Sequence, residues 1–291
     1  MHIDVRLVKR LVARQFPQWA ALPISPVAVS GWDNRTFHLG DELSVRLPSA
    51  EAYARAVHRE QQWLPRLAPH LPLPIPQPVA MGEPGEGYPW HWSIYRWLPG
   101  AVATRDNVSS LSAFATDLAR FLRALQSVDP TGGPGRKLRG GSLERWRPQA
   151  EASLAALSRA RSIDTDAATA IWKAATEARF ESEAVWFHGD VAAGNLLVSD
   201  GRLSAVIDFG GLGVGDPACD MTIAWTLFDA ASRRAFRRTV GVSDAIWNRG
   251  KGWALWKAMI VVSGMIETNA LEAASSGYAI DQLTADYRNG E

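Results

Sequence analysis

The chain has a single cysteine, Cys219, in 291 residues. An intramolecular disulfide is therefore excluded, and such usage fits a reducing compartment, so a cytoplasmic location is expected. Net charge is also nearly absent: 31 Lys and Arg against 30 Asp and Glu leave +1. That balance supplies no global attraction to nucleic acid or to an anionic membrane, and neither is expected as a partner. Long apolar runs are missing too. The most apolar window, ALWKAMIVVSGMI at 254–266, is too short to span a bilayer and carries Lys257. At the opening, MHIDVRLVKRLVARQF, Asp4, Lys9 and Arg10 interrupt the apolar residues, whereas a secretory signal needs an unbroken apolar stretch. There is no internal repeat and no low-complexity segment.

What remains is an ordinary globular mixture, 47% hydrophobic and 21% charged, long enough for one large domain or two lobes. Val5, Val8, Leu11, Val12 and Phe16 recur at helical spacing and predict an opening amphipathic helix. Short β-like runs follow at 26–30, 36–40 and 43–48, with GDE at 40–42 as the turn between the last two. A helix is predicted over about 50–68, then two strands in PQPVAMG and HWSIYRWL. Beyond LPGA at 98–101 the character becomes helical: Leu111, Phe114, Leu118, Phe121, Leu122 and Leu125 share one face. DPTGGPGRKLRGG at 129–141 reads as a flexible basic loop, with helices expected over 143–160 and 165–180. AVWFH, NLLVS and LSAVIDF then insert short strands, and helix resumes after GDPACD, with turns near SSG at 275–277.

The stretch FHGDVAAGNLLVSDGRLSAVIDFGG at 187–211 carries the chemistry. Asp190 and Asn195 have the form D-x-x-x-x-N, and Asp208 follows one hairpin later. Phosphoryl transfer needs a group that orients a hydroxyl and hard oxygen ligands for Mg²⁺ on the phosphates. Asp190 suits the first task; the Asn195 amide oxygen and the Asp208 carboxylate suit the second. Each acid alone is more often a turn residue, and Asp200-Gly201 is expected to be a plain hairpin turn. The joint pattern, with His188 and Gly189 before Asp190 and apolar strands on both sides, goes beyond turn chemistry. In GDPACD, Asp216 stands where a helix N-cap would be, with Pro217 at the first helical position.

HGDVAAGNLLV…VIDFGGLGVGDPACDMT resembles the signature of the aminoglycoside phosphotransferase family, which has a two-lobed protein-kinase-like fold. The resemblance implies an α+β architecture: a small antiparallel-sheet N-lobe over 1–98 that binds nucleotide, and a larger, mainly helical C-lobe over 99–291. It implies Asp190 as catalytic base, Asn195 and Asp208 as Mg²⁺ ligands, and ATP or GTP as phosphoryl donor. His188, Asp216 and Asp220 become support residues, Asp220 bracing the backbone of the catalytic loop. SGWDNRTFHLG at 30–40 takes the place of the kinase glycine-rich loop but lacks G-x-G-x-x-G, leaving Ser30, Gly31 and Asn34 to cover the phosphates. Arg46 stands where protein kinases place a phosphate-binding Lys, with Glu60 on the next helix to pair with it. Trp97 lies in YRWLPG, at the expected hinge beside the nucleotide base.

Asp216 follows Asp208 by only eight positions, too few for a protein-kinase activation segment, and no A-P-E motif follows. A small-molecule acceptor is favoured. Residues 262–291 carry Glu267, Glu272, Asp281, Asp286 and Glu291 against Arg288 alone, which reads either as a solvated acidic tail or as a surface that would draw a cationic aminoglycoside, with Glu267 and Glu272 as acceptor-pocket candidates. Trp253, Trp256, Met259 and Met265 fit either a more apolar pocket, suited to a macrolide, or a helical core. Kinases of choline-like amines or small metabolites compete within the enzyme class; a nucleotide-binding pseudokinase competes from outside it.

Overall fold

The computed structural model describes residues 2–28, 31, 33–135 and 138–290. The chain forms two compact units, one of residues 1–100 with 205–210, the other of 101–204 with 211–291.

The first unit is built on a five-stranded antiparallel sheet in the order β1-β2-β3-β5-β4, from β1 (Ile24–Pro26), β2 (Asn34–Leu39), β3 (Leu43–Pro48), β4 (Pro78–Gly82) and β5 (Trp92–Arg96). Helix α1 (Val5–Gln15) starts at an Asp4 cap, whose carboxylate accepts the Leu7 amide. Its buried face, Leu7, Val8, Leu11 and Val12, closes on Phe37, Leu39, Val45, Leu47, Trp92 and Ile94 of the sheet. Helix α2 (Glu51–Leu67) buries Val57, Glu60, Trp63, Leu64 and Leu67 along one stripe. The first strand lies at 24–26 rather than 26–30. Its register is set by the Ile24–Leu39 and Pro26–Phe37 pairs, and among the described residues the Val27 amide, bonded to the Thr36 carbonyl, prolongs it.

In the second unit a short strand, β6 (Ala101–Val102), joins a hairpin of β8 (Leu196–Ser199) and β9 (Arg202–Val206) in the order β6-β8-β9, while β7 (Val185–Phe187) pairs with β10 (Gly213–Gly215). Asp200 and Gly201 both have positive φ, 51° and 74°, as the tightest hairpin turns require. Around these strands lie α3 (Leu111–Gln126), α4 (Arg147–Arg159), α5 (Thr165–Glu177), α6 (Ile223–Thr226), α7 (Ala230–Val240), α8 (Asp244–Val262) and α9 (Ala270–Arg288).

Helix α8 buries most of its residues, Trp247 and Arg249 through Val261 with few breaks, because α4, α5 and α9 pack around it, the mark of a central core helix. Among the described residues no helix is long and apolar enough to cross a membrane. Trp253, Trp256 and Met259 of α8 are core residues, while Met265 is exposed. The turn expected at 275–277 is absent. Helix α9 runs straight through Ser275, Ser276 and Gly277, because packing against α8 outweighs the weak helix propensity of those three residues. The described part of the 129–141 loop is pinned rather than loose. Gly135 bridges to Val214, and the Gly140 carbonyl accepts the Asp216 amide. At Gly140 φ is +69° and a Cβ would lie 2.2 Å from the Phe187 ring, so only glycine fits.

Candidate active site

In the second unit, β7 delivers the chain into His188-Gly189-Asp190. Asp220, fully buried, accepts the His188 amide at 2.8 Å and the Gly189 amide at 2.7 Å, which fixes the loop's backbone. Burial lifts the Asp220 carboxyl above its ordinary value, against the opposing pull of His188 and the two amides. Gly189 has φ +89°, and a Cβ there would lie 2.4 Å from the Gly211 carbonyl oxygen. His188 is wholly buried, and its Nδ1 accepts the Asp190 amide at 3.2 Å, a role in packing and backbone support.

The Asp190 side chain itself is open, 55% exposed. The Asn195 Nδ2 donates to the Asp190 carbonyl at 2.9 Å and to its Oδ2 at 3.1 Å. Asn195 thus fixes the carboxylate by its nitrogen, and its amide oxygen makes no hydrogen bond among the described residues. Asp216 caps the 3₁₀ turn at Pro217–Thr222 by accepting the Ala218 amide. It also takes a two-pronged contact from Arg249, at 2.6 and 3.0 Å, with both side chains buried.

In the first unit, Arg46 of β3 lies 3.6 Å from Glu60 of α2 and 3.3 Å from Asp208. Tyr95 of β5 completes the group: its hydroxyl donates to Glu60, and its ring lies 5.6 Å from the Arg46 guanidinium carbon. Burial works against the Arg46 charge, but Glu60 and Asp208 overcome it and hold the guanidinium firmly protonated. Burial pushes the Glu60 carboxyl up, partly countered by Arg46. Asp208 has φ +63°, an uncommon conformation for a non-glycine, and its Oδ1 faces the Gly210 amide at 3.4 Å. Arg59 donates to the Gly210 carbonyl and clasps the same turn. Asn34 opens β2 opposite Pro48. Trp97 stacks on His38 with ring centroids 4.2 Å apart. Ser30 lies outside the described residues.

The residues fit the hard oxygen chemistry of Mg²⁺. No group of three or more His, Cys, Asp or Glu that could hold a metal occurs among the described residues, and such a group is not needed. Mg²⁺ is commonly held by one or two carboxylates while water and substrate phosphates fill the remaining positions. One amide oxygen of Asn195 and the Oδ2 of Asp208 make no hydrogen bond among the described residues.

Two of the five acids inferred as an acidic surface over 262–291 are spent within the fold. Asp286 is buried, bonded to Arg233 at 2.5 Å and to the Trp225 indole at 2.9 Å. Glu272 pairs with Lys257 at 2.6 Å and accepts the Thr268 hydroxyl. Burial would raise the Glu272 carboxyl, but those two donors and the charges of Lys257 and Arg139 outweigh it and hold it below its ordinary value. Arg288 is taken by Asp164 at 2.7 Å. Glu267 and Asp281 are exposed, and Glu291 lies outside the described residues.

Three residues at these sites were not among the sequence candidates. Tyr95 was readable: Arg46 pairs with Ser93 across the sheet, so the next residue on that face is Tyr95. Arg249 and Arg139 reach their partners only through the tertiary fold, and no local pattern announces them.

The profile of the phosphotransferase enzyme family matches residues 24–254. Among solved structures, the chain is similar to the GDP complex of wild-type aminoglycoside 2'-phosphotransferase-IIIa, at TM-score 0.72 and 17% identity over 99% of this chain and 100% of that one. It is also similar to the GDP and kanamycin complex of an APH(2") enzyme, at 0.70 and 18% over 98% and 99%. The macrolide 2'-phosphotransferase MphH from Brachybacterium faecium follows at 0.62 and 19% over 96% and 98%. No curated protein matches.

Proposed function

The chain belongs to the phosphotransferase enzyme family, and from that premise we propose that it moves the γ-phosphoryl group of ATP or GTP onto a hydroxyl of a small molecule. Asp190 orients the hydroxyl and takes its proton as the new P–O bond forms. Asn195 and Asp208 are the residues that would hold Mg²⁺, which when bound supplies charge neutralisation for the phosphates. Arg46, kept charged by Glu60, contacts the donor phosphates, and Ser30, Asn34 and Trp97 belong to the nucleotide side. Residues 1–98 are the nucleotide lobe of this reading, and 99–291 the lobe of the base and the acceptor.

The observation that carries the reading is the state of Asp190. Its backbone is clamped through Asp220 and His188, and its carboxylate is steadied by Asn195, yet the side chain stands open to a substrate. A structural aspartate in this fold looks different: Asp216 and Asp286 are buried and saturated. Aminoglycosides are the first acceptors to test and macrolides the second, because those words name the similar structures. Choline-like amines and small metabolites come next.

A second reading, a nucleotide-binding sensor without turnover, draws on one contact. Arg46 occupies the Asp208 Oδ1, an oxygen that a metal would otherwise share. Nucleotide release measured with Mg²⁺ across the acceptor panel separates the two. The expected result is acceptor-stimulated ADP or GDP release that Asp190→Asn lowers by roughly 10²–10⁴ while nucleotide still binds. Equal rates in that variant would remove Asp190 from the base role, and bound nucleotide with no turnover at all would support the sensor.

A further inference from the structure

We propose that Arg139 is an anchor for an anionic group on the acceptor, so that the molecule phosphorylated at Asp190 bears a carboxylate or phosphate close to its reacting hydroxyl. The inference rests on the kinase reading and narrows its substrate class.

The first ground is an accounting of guanidinium donors. Buried arginines in this protein use theirs: Arg249 bonds Asp216 and the carbonyls of Ala178 and Arg179, and Arg233 bonds Asp286, Gln282 and two carbonyls. Arg139 has only a quarter of its side chain exposed, yet it makes no hydrogen bond among the described residues. Its nearest carboxylate oxygen is the Asp190 Oδ1, 3.9 Å away and beyond hydrogen-bond reach. A largely desolvated guanidinium with its planar fork unspent is costly to keep, and it matches a carboxylate or phosphate two-pronged.

The second ground is how the group is held. Its central carbon lies 5.6 Å from the Trp253 ring centroid and 5.7 Å from that of Trp256, both buried on α8. Indole faces attract the cation without consuming its N–H groups. Position is thus fixed while binding capacity is left over, which is the economy expected of a preorganised ligand contact. In the same cluster the buried indole N–H groups of Trp146 and Trp253 also have no acceptor among the described residues. Donors are in excess there.

The third ground is the state of the acids. Asp190 is committed to the hydroxyl, and Glu272, whose carboxyl feels the Arg139 charge, is already matched by Lys257. A polycation approaching Asp190 would meet the Arg139 guanidinium 3.9 Å from the same carboxylate, and like charges in such a position are disfavoured.

The test uses the nucleotide- and Mg²⁺-loaded protein with acceptors that share a diol core: glycerate, its amide, the corresponding aminopropanediol and glycerol phosphate, with kanamycin alongside. Binding is followed by calorimetry and transfer by ADP or GDP release. Glycerate or glycerol phosphate is expected to surpass the amide and the amine at least tenfold, and their ranking tells carboxylate from phosphate. Arg139→Met keeps the packing on the indoles and should erase that preference, while Arg139→Lys, with charge but no fork, should keep part of it. The proposal is overturned if kanamycin or the amine ranks first, or if the preference survives in Arg139→Met. It also falls if neither anion binds up to about 10 mM, or if Arg139→Met slows water hydrolysis and every acceptor alike, which would put the guanidinium on the donor phosphate. Loss of hydrolysis in Asp190→Asn is read separately, so the kinase reading can stand when this one fails.

Discussion

Arg46 in the first unit divides its guanidinium between two carboxylates, 3.6 Å from Glu60 and 3.3 Å from Asp208. Arg249 in the second commits its fork to Asp216 alone, at 2.6 and 3.0 Å, and spends its remaining donors on two carbonyls. Both are arginines facing acids with little side-chain exposure, 14% for Arg46 and 7% for Arg249, and their local sequences give no hint of the contrast. Long, shared contacts can be surrendered one at a time to an incoming phosphate. Short, saturated ones cannot be surrendered without leaving a buried charge alone. The first arrangement suits a site that changes partners on binding; the second suits a joint that must not move. Partner number and distance therefore separate shared charges from saturated ones more sharply than burial does.

The contrast can be broken most forcefully at Arg249. Arg249→Met leaves Asp216 buried without its cation and should destabilise the protein by about 3–5 kcal/mol in chemical unfolding. A loss below about 1 kcal/mol would mean that Asp216 is readily hydrated or protonated, and the joint would not be one. Next in size is Asp220→Asn, which replaces a two-oxygen acceptor by a single carbonyl oxygen. One of the His188 and Gly189 amides then lacks its partner, at about 1–3 kcal/mol, and turnover should fall more than nucleotide affinity.

Glu60→Gln sharpens the other side of the comparison. Arg46 keeps Asp208, so stability should shift by only about 1 kcal/mol, while nucleotide affinity weakens because the guanidinium swings toward Asp208. A stability loss as large as that of Arg249→Met would contradict the division between shared and saturated charges. The smallest effect is at Glu272. Its carboxyl is held below its ordinary value in the folded state, so its contribution is present above about pH 4.5 and disappears as pH falls through the lowered value. Glu272→Gln should cost less than about 1 kcal/mol at neutral pH, because the pair is part-exposed, and the difference from the parent protein should close in acid.

Much of this was readable in the chain. The period-2 runs and the Asp200-Gly201 turn locate the strands beside the His188–Asn195 loop, because register and turn chemistry are local. The loop itself is legible for the same reason, with glycine, acid and amide falling within eight residues. What the sequence hid depends on distant neighbours. Asp286 counts as surface charge until α7 brings Arg233 to it, and Glu272 counts as an open acid until Lys257 reaches across from α8. Ser275-Ser276-Gly277 looks like a break because propensity is local, whereas the packing that keeps it helical comes from α8. Arg139 sits in a glycine-rich stretch whose composition signals mobility, and its indole supports lie more than a hundred residues later.

Residues 205–210 belong with the first unit, although 104 residues of the second come before them. During synthesis the sheet of the first unit can close early, but Arg46 must wait for Asp208, and Arg59 for Gly210. At ordinary translation speeds that delay is about 5–20 s. Over that interval Glu60 is the only acid of the finished pair available to hold Arg46. The nascent half-unit thus leaves the ribosome with one cation under-compensated, and the arrival of a six-residue segment, not the completion of the sheet, marks the end of its assembly.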